Sequence, residues 1–215
     1  MPRTAEITRK TKETDIEVII NLDGNGESEI STGIGFFDHM LTALSKHSGI
    51  DMKISCKGDL EVDAHHSVED TGIVLGQAVA EALGDKVGIR RYGQARIPMD
   101  EALGEAVIDI SGRPFIVYNC EFKGDMMGQM DTQLVEEFMR SFAYNAGITL
   151  HIGAPYGTNN HHKAEAMFKA LARALRQATE IDERTLPLSG ISSSKTTSKA
   201  EILSVTIRRR LSPKS

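Results

Sequence analysis

The sequence contains few cysteines, no long apolar run and no excess of positive charge. Cys56 and Cys120 are the two cysteines among 215 residues. They match neither a disulfide framework nor a CxxC motif, so we expect two reduced thiols. No apolar run approaches the ~18 residues of a membrane-spanning helix, and Met1–Thr4 lacks the apolar region of a signal peptide. The net charge of -5 does not indicate nucleic-acid binding. We therefore expect a cytoplasmic protein with neither a membrane nor a nucleic acid as partner.

The sequence does contain the pattern His-His-x-x-Glu twice, at His65–Glu69 and His161–Glu165. Imidazole and carboxylate groups ligate Zn, Mn, Fe and Ni. On a helix, Glu69 would lie four residues after His65 and three after His66, so all three side chains could reach one face of the first turn. A single histidine pair is often a surface or helix-cap feature, but the duplication with matched glutamates indicates two related metal sites.

Other segments of the chain also occur twice, which indicates an internal duplication. Phe36–Leu41 runs parallel to Leu134–Met139, 98 positions later, and Val18–Gly24 resembles Val107–Gly112. The separation between matched segments drifts along the chain, as loop insertions and deletions would cause.

We predict two related halves, residues 1–90 and 91–195, followed by a tail at 196–215. Each half begins with strands whose β-branched residues alternate, and continues with an amphipathic helix, a further strand and a second helix that the histidine pair opens. Strands followed by helices indicate an α+β fold, in which two helices cover one face of a mainly antiparallel sheet. A pseudo-twofold axis would relate the halves. The elements are predicted near 16–20, 37–46, 52–56 and 68–83 in the first half, and near 105–122, 132–146, 148–152 and 162–179 in the second.

Four motifs of the chain are Gly35–Leu41, Asp63–Asp70, Ser111–Pro114 and Asn160–Ala170. Together they resemble the motifs of the imidazoleglycerol-phosphate dehydratases, which are enzymes of histidine biosynthesis. They occur in the family's order, and the resemblance covers about residues 3–195. Several motifs in the right order are far more specific than any one of them.

The resemblance implies a ribosomal protein S5 domain 2-like fold in each half and a homo-oligomer of 24 subunits. It also implies two Mn(II) ions in each active site, at subunit interfaces. The partner would be a small phosphorylated imidazole, D-erythro-imidazoleglycerol phosphate, which loses water to give imidazole-acetol phosphate. Because hydroxide is a poor leaving group, both imidazole nitrogens would bind metal, and the metal-bound imidazolate would expel hydroxide to give a diazafulvene-type intermediate.

The family's functional positions can be carried over to this chain residue by residue. The resemblance places metal ligands at His39, His65, His66, Glu69, His161, His162 and Glu165. It makes Glu13 a substrate contact and a candidate acid or base, and it gives Glu69 and Glu165 catalytic roles as well. It assigns the substrate and its phosphate to Arg91, Arg113, Lys169, Ser193, Ser194 and Lys195. A dianionic phosphate suits this mixture of guanidinium, ammonium and hydroxyl donors. Without the resemblance, each would be an ordinary polar residue of a loop or a helix surface.

The chain departs from the family pattern at Glu137, where many members carry a histidine. The repeat aligns Glu137 with His39, so we expect its carboxylate to be a further metal ligand, which Mn(II) accepts. The alternatives are a rearranged site with water in that place, or His151 as a substitute ligand, although a structural role for His151 is the simpler interpretation. A second departure is Thr196, which stands where members have glycine, and the tail that follows lies outside the resemblance.

Two other functions are compatible with these residues. A dinuclear metallohydrolase that acts on a phosphorylated substrate would also use paired metals and phosphate-binding cations, but the sequence lacks a cluster of bridging aspartates. A metal-assembled shell or storage protein would use interface metals to stabilise an oligomer, but the phosphate-binding set would then have no role.

Overall fold

The first half contains the predicted order of strands and helices around one sheet. The computed structural model describes residues 2–182. The elements of the first half are β1 (Thr4–Lys10), β2 (Thr14–Asn21), β3 (Ser28–Ser31), α1 (Gly35–Ser48), β4 (Asp51–Gly58) and α2 (His65–Leu83). The strands are ordered β1-β2-β4-β3, with β3 parallel to β4 and the other neighbours antiparallel. The sheet is therefore mainly antiparallel, as predicted.

The second half has the same order of elements. They are β5 (Tyr92–Met99), β6 (Ala102–Asp109), β7 (Phe115–Asn119), β8 (Met126–Met127), β9 (Met130–Asp131), α3 (Gln133–Ala146), β10 (Thr149–Tyr156) and α4 (Asn160–Thr179). The second sheet is ordered β5-β6-β10-β7, again with one parallel pair, β10 and β7. The short β8–β9 hairpin is an addition to this pattern. The predicted duplicated α+β fold is confirmed.

The strand registers show which residues of the two halves correspond. Asn21 of β2 pairs with Asp51, the first residue of β4. Asp109 of β6 pairs with Thr149, the first residue of β10. Position 21 therefore corresponds to position 109, which is the offset that the sequence repeat predicts for these strands.

Two strands of the first half were not predicted from the sequence. In β1, Ala5 is buried, whereas the other residues are exposed or half-buried. The four residues of β3 include one apolar side chain, the half-buried Ile30. Both strands lie at sheet edges, where polar residues are common, so the alternation that marks a strand is weak.

The helices form the contact between the two halves. In its own half, α2 packs on β1 and β2, and α4 packs on β5 and β6. Across the halves, α2 lies against α3, and α1 lies against α4. Phe138 of α3 is fully buried where the helices meet, with its ring stacked on Phe142 and Phe168 and edge-on to Phe37. One hydrophobic core therefore joins both halves.

Two glycines allow α2 to approach α3 closely. A Cβ on Gly76 would lie 2.7 Å from the Phe142 carbonyl oxygen and 2.9 Å from the Ala146 nitrogen. A Cβ on Gly72 would lie 3.0 Å from that of Ser141. Because Gly72 faces Ser141 and Gly76, one turn later, faces Ala146, the two helices run in the same direction.

The other helix pair, α1 and α4, also runs in one direction. Near the start of both helices, the Phe36 ring lies 5.2 Å from the His161 ring. Near their ends, a Cβ on Gly49 would lie 3.8 Å from the Arg176 guanidinium. The first turns of the paired helices are therefore neighbours in both pairs.

Gly76→Ala should push α2 away from α3, because the nearest atoms are two backbone atoms of α3 and the Asn145 Cβ, none of which can rotate aside. Overpacking of this kind destabilises a protein by about 1–3 kcal/mol. Urea unfolding at a fixed protein concentration would measure the effect. Gly35→Ala is the control, since a Cβ on Gly35 meets no atom within 4 Å. A Gly76→Ala protein as stable as this control would contradict the close contact.

Candidate functional site

Two histidines and a glutamate converge where α1 meets α4. His161 and Glu165 lie one turn apart in α4, with 3.0 Å between His161 Nε2 and Glu165 Oε2. From α1, His39 Nε2 approaches the same oxygen to 3.4 Å. One ligand atom from each residue lies within 4.8 Å of the others. Among residues 2–182, this is the one group of three or more candidate metal-ligating side chains that converges so closely.

Each histidine pair lies in the first turn of its helix. At the start of each helix, a side-chain oxygen accepts hydrogen bonds from one or both backbone N–H groups of the histidine pair. Asn159 Oδ1 accepts hydrogen bonds from the backbone N–H groups of His161, at 2.9 Å, and His162, at 3.3 Å. In the first half, Asp63 Oδ1 accepts from the backbone N–H of His65 at 2.7 Å. These bonds satisfy N–H groups that a helix start leaves without partners. They also fix the direction in which the histidine side chains leave the backbone.

The donor set at α1 and α4 suits a divalent first-row metal ion. Burial raises the pKa of the Glu165 carboxyl, but the hydrogen bond and charge of Lys169 outweigh it, so the pKa lies below its ordinary value. Lys169 Nζ lies 2.6 Å from Glu165 Oε1, which leaves Oε2 facing the two imidazoles. An ionised carboxylate with two imidazole nitrogens is a ligand set that Mn(II) and Zn(II) both accept.

The first half presents a related and more open group. His65 Nε2 lies 3.5 Å from Glu69 Oε2, one turn along α2. Glu137 is half-buried in the second turn of α3. Gly72 of α2 faces Ser141 of α3, and the two helices run in one direction. Glu69 and Glu137 each lie about one turn before these residues, so Glu69 lies beside the turn that contains Glu137. The two helices thus bring Glu137 towards the first histidine pair.

The second histidine of each pair is bonded to a carboxylate that the sequence analysis missed. His66 Nδ1 lies 3.0 Å from Asp59 Oδ2, and His162 Nδ1 lies 2.7 Å from Glu101 Oε2. These hydrogen bonds raise the pKa of each histidine. The bond from His162, with backbone N–H donors, holds the pKa of Glu101 well below its usual range. The repeat could have drawn attention to Glu101, because the offset of β2 and β6 aligns it with Glu13.

Glu13 lies in the turn between β1 and β2, near the first histidine pair. After the hydrogen bond to Asp59, its charge is among the causes that raise the pKa of His66. Its backbone N–H donates to Thr11 Oγ1 at 3.1 Å. Within the described part of the chain, no group donates a hydrogen bond to the Glu13 carboxylate. This carboxylate is therefore available to a ligand.

The buried Asp70 carboxylate ties the Glu13 turn to α2. Thr14 Oγ1 donates to Asp70 Oδ2 at 2.5 Å, and Arg9 Nε donates to Asp70 Oδ1 at 3.1 Å. Asp70 is 7% exposed and Thr14 is 3% exposed, so water competes little for the bond between them, whereas the Arg9 side chain is partly exposed. Asp70 directly follows Glu69, and the network therefore joins the turn to the helix that carries a candidate ligand.

The predicted phosphate-binding cations lie in two separate places. Arg91, which has a left-handed φ of 72°, donates from Nε to Asp109 at 2.7 Å. Arg113 Nη2 lies 3.7 Å from the same carboxylate. Lys169 Nζ instead lies 3.6 Å from Met99 Sδ, on the side of the candidate metal centre. Arg91 precedes β5 and Met99 ends it, so the strand length of about 23 Å separates the two groups. The other predicted phosphate contacts, Ser193, Ser194 and Lys195, lie outside the described residues, as does the predicted tail.

His151 does not belong to this site. It is exposed in β10, in register with Val107 and Val117. Its neighbours Leu150 and Ile152 are buried, and successive residues of a strand face opposite sides of the sheet. The His151 side chain therefore lies on the outer face of the sheet, away from the helices, and the structure does not support it as a substitute ligand.

A cavity of about 590 Å³ opens beside the first histidine pair. Its lining includes Ile34 before α1, His65 at the start of α2 and Gln133 at the start of α3. Met126 and Asp131 of the β8–β9 hairpin form another wall. The volume suits a small-molecule ligand, and the polar part of the lining includes the carboxylates of Asp63 and Asp131 beside His65.

Fold and site together define a duplicated α+β protein with candidate metal-ligand clusters where the helices of its two halves meet. Residues 32–175 match the family model of imidazoleglycerol-phosphate dehydratase. The chain belongs to the imidazoleglycerol-phosphate dehydratase family, and it is therefore an enzyme of the hydro-lyase class. Among residues 2–182, no helix has the length and apolar character needed to cross a membrane.

Relatives and solved structures agree with this assignment over most of the chain. The imidazoleglycerol-phosphate dehydratase of Acetivibrio thermocellus is 57% identical over 195 residues, which are 91% of this chain and 98% of that protein. That of Alkaliphilus metalliredigens is 58% identical over 86% of this chain and 94% of its own. A crystal structure of the Staphylococcus aureus enzyme has a TM-score of 0.76 at 42% identity, covering 83% of this chain and 99% of that one. A crystal structure of imidazoleglycerol-phosphate dehydratase (IGPD) from Pyrococcus furiosus has a TM-score of 0.71 at 40% identity, and it covers 86% of this chain and 100% of that one.

Asp70→Ala should destabilise the protein by about 1–3 kcal/mol, because a buried hydroxyl and a guanidinium lose their acceptor. The backbone amides of residues 11–14 should exchange hydrogen faster, and urea unfolding should show the lower stability. Asp15→Ala is the matched control on the same turn. Its ion pair with Lys10 is exposed, and such pairs contribute at most about 1 kcal/mol. Equal effects of the two changes would argue against Asp70 as a tether.

Proposed function

We propose that this chain removes water from D-erythro-imidazoleglycerol phosphate to give imidazole-acetol phosphate, a reaction of histidine biosynthesis, with Mn(II) as cofactor. The observation that carries the proposal is the convergence of His39, His161 and Glu165. The first half contains a related contact between His65 and Glu69. Two related ligand clusters suit a substrate whose imidazole ring has two nitrogen atoms. Relatives that are 57% and 58% identical carry the name of this enzyme.

We assign metal binding to both histidine pairs with their glutamates, and to His39 and Glu137. His66 and His162 belong to this set because their Nδ1 atoms face carboxylates, which leaves Nε2 available to a metal. Glu165 is ionised beside Lys169, as a carboxylate ligand must be. Two Mn(II) ions for each site would use all of these donors.

The reaction requires removal of a proton from carbon and loss of a hydroxyl group. Bound divalent metal would supply Lewis-acid stabilisation of the deprotonated imidazole ring. We assign the proton transfer to Glu13, since its charge acts on His66 of the first histidine pair and its carboxylate is unoccupied by donors of the described residues. The Asp70 network ties the turn that carries Glu13 to α2. Glu69 and Glu165 would act through the ions that they bind.

We infer that each complete site contains residues from more than one subunit. A single phosphate group cannot contact Arg91 and Lys169 of the same chain as they are placed, because the length of β5 separates them. A neighbouring subunit that brings Arg91 and Arg113 to the Lys169 region would complete a phosphate site. Ser193, Ser194 and Lys195 would add donors to it. We propose that the particle has the 24 subunits that the family resemblance implies.

The activity should depend on metal. After extensive chelation, confirmed by elemental analysis, the release of water from imidazoleglycerol phosphate should fall to background and should return when Mn(II) is added. Sedimentation should show smaller particles after chelation, because ligands from separate subunits would no longer be joined. Full turnover by the metal-free protein would contradict the proposal. Release of inorganic phosphate would indicate a metallohydrolase, and metal uptake without either reaction would indicate a storage protein.

The assignment of Glu137 gives a second test. Glu137→Gln should weaken the binding of one metal and leave the other unchanged, because a neutral amide is a poorer donor than a carboxylate. Glu137→His should retain both metals and much of the activity, since imidazole also ligates Mn(II). Calorimetric titration of the metal-free protein would measure both affinities. Glu136→Gln is the control, because Glu136 forms an exposed ion pair with Arg140 on the same helix.

A structure with metal bound would examine the same assignment directly. We expect about 2.0–2.3 Å between a Glu137 oxygen and one ion, the usual range for carboxylate ligands. A Glu137 carboxylate more than about 4 Å from either ion, beyond coordination distance, would show that water completes that site.

A further inference from the structure

The two histidine pairs share a feature that their repeated sequence does not encode. In each pair the second histidine directs Nδ1 at a carboxylate, Asp59 for His66 and Glu101 for His162. A hydrogen bond from Nδ1–H places the proton of a neutral imidazole on that atom, so that Nε2 keeps the lone pair a metal needs. In both halves, therefore, a carboxylate sets the tautomer of the second histidine.

The two carboxylates come from different parts of the repeat. Glu101 lies in the turn between β5 and β6, immediately before β6. The corresponding position in the first half, immediately before β2, is Glu13. Asp59 instead follows β4, in the loop that leads to α2. One half thus uses the turn glutamate to hold its histidine, and the other half uses a loop aspartate.

The turn glutamates consequently have opposite environments. Glu101 Oε1 accepts from Thr158 N at 2.9 Å, Thr158 Oγ1 at 3.2 Å and Asn159 N at 2.7 Å. Its Oε2 accepts from His162. Both oxygens of Glu101 are therefore occupied. The Glu13 carboxylate receives no hydrogen bond from the residues between 2 and 182, because Asp59 has taken the equivalent histidine.

We propose that Asp59 and Glu101 are positioning residues that present Nε2 of His66 and His162 to metal, and that the capture of His66 by Asp59 leaves Glu13 free for proton transfer. The first part concerns metal binding alone. The second part rests on the proposed dehydration and on the role of Glu13 in it. Loss of such an orienting partner typically lowers metal affinity about 10–100-fold.

The amide variants of the two carboxylates should behave differently. In Glu101→Gln, the three donors from Thr158 and Asn159 select the amide oxygen, which turns the amide –NH2 towards His162 Nδ1. His162 must then accept at Nδ1 and carry its proton on Nε2, where metal would bind. Asp59 has no comparable donors among the described residues besides His66, so Asp59→Asn can turn its oxygen to Nδ1–H and keep the required tautomer.

Titration of the chelated, intact protein with Mn(II) would test the first part without substrate. We expect Glu101→Gln and Asp59→Ala each to lose about 10–100-fold in the affinity of one metal, whereas Asp59→Asn changes little. Glu105→Gln is the control, since Glu105 pairs with Arg96 in the β5–β6 sheet region. Urea unfolding of the metal-free variants would establish that each is folded under the titration conditions. Unchanged affinity in Glu101→Gln, or equal losses in Asp59→Asn and Asp59→Ala, would overturn the proposal.

Turnover at saturating Mn(II) would test the second part. The corresponding pair of the second half, Glu101 and His162, is hydrogen-bonded, so without Asp59 the Glu13 carboxylate is the acceptor that the repeat offers to His66. Asp59→Ala should therefore keep a lowered kcat even when every metal site is filled. Asp59→Asn should recover the parent kcat under the same conditions. Full recovery by Asp59→Ala would show that Glu13 does not depend on Asp59. If the parent protein releases no water from the substrate, the proposed function fails, and the metal titration still decides the first part.

Discussion

The parallel contact between α1 and α4, and between α2 and α3, is the constraint on which the site depends. Each pair joins a first helix of one half to a second helix of the other. Because the paired helices run in one direction, their first turns are neighbours, and the second helices open with the histidine pairs. Gly72 and Gly76 allow the backbone approach in one pair, and Phe138 fills the core between the helices. His39 of the first half therefore meets His161 and Glu165 of the second only after the two halves have packed together.

Exposure of the candidate ligands agrees with a site that a neighbouring subunit completes. The side chains of His39, His65 and His161 are 49%, 47% and 47% exposed in the single chain. The protein that surrounds a metal site controls the access of water to it. The distance between Arg91 and Lys169 likewise agrees with a phosphate site that two subunits share. These features support the proposal that residues of more than one subunit form each complete site.

The duplicated fold produces two similar half-sites whose surroundings differ. Glu13 and Glu101 have corresponding places before β2 and β6, yet within residues 2–182 one carboxylate accepts no hydrogen bond and the other is fully hydrogen-bonded. The difference follows from Asp59, a residue outside the repeated turn. A small change in one loop can therefore give the two halves different chemical roles while the sheets and helices stay equivalent.

Local patterns in the sequence were sufficient for the fold class and for the geometry within each half-site. The spacing of His161 and Glu165 predicts their contact, because one helical turn brings such residues together. The polar edge strands β1 and β3 escaped prediction, since few of their side chains are buried. The partners of His66 and His162 were decided by loops that fold back from elsewhere in the chain. The convergence of His39 with Glu165, and the distance between Arg91 and Lys169, were likewise decided by tertiary structure. Both depend on how helices and strands far apart in sequence pack, and no local periodicity records that packing.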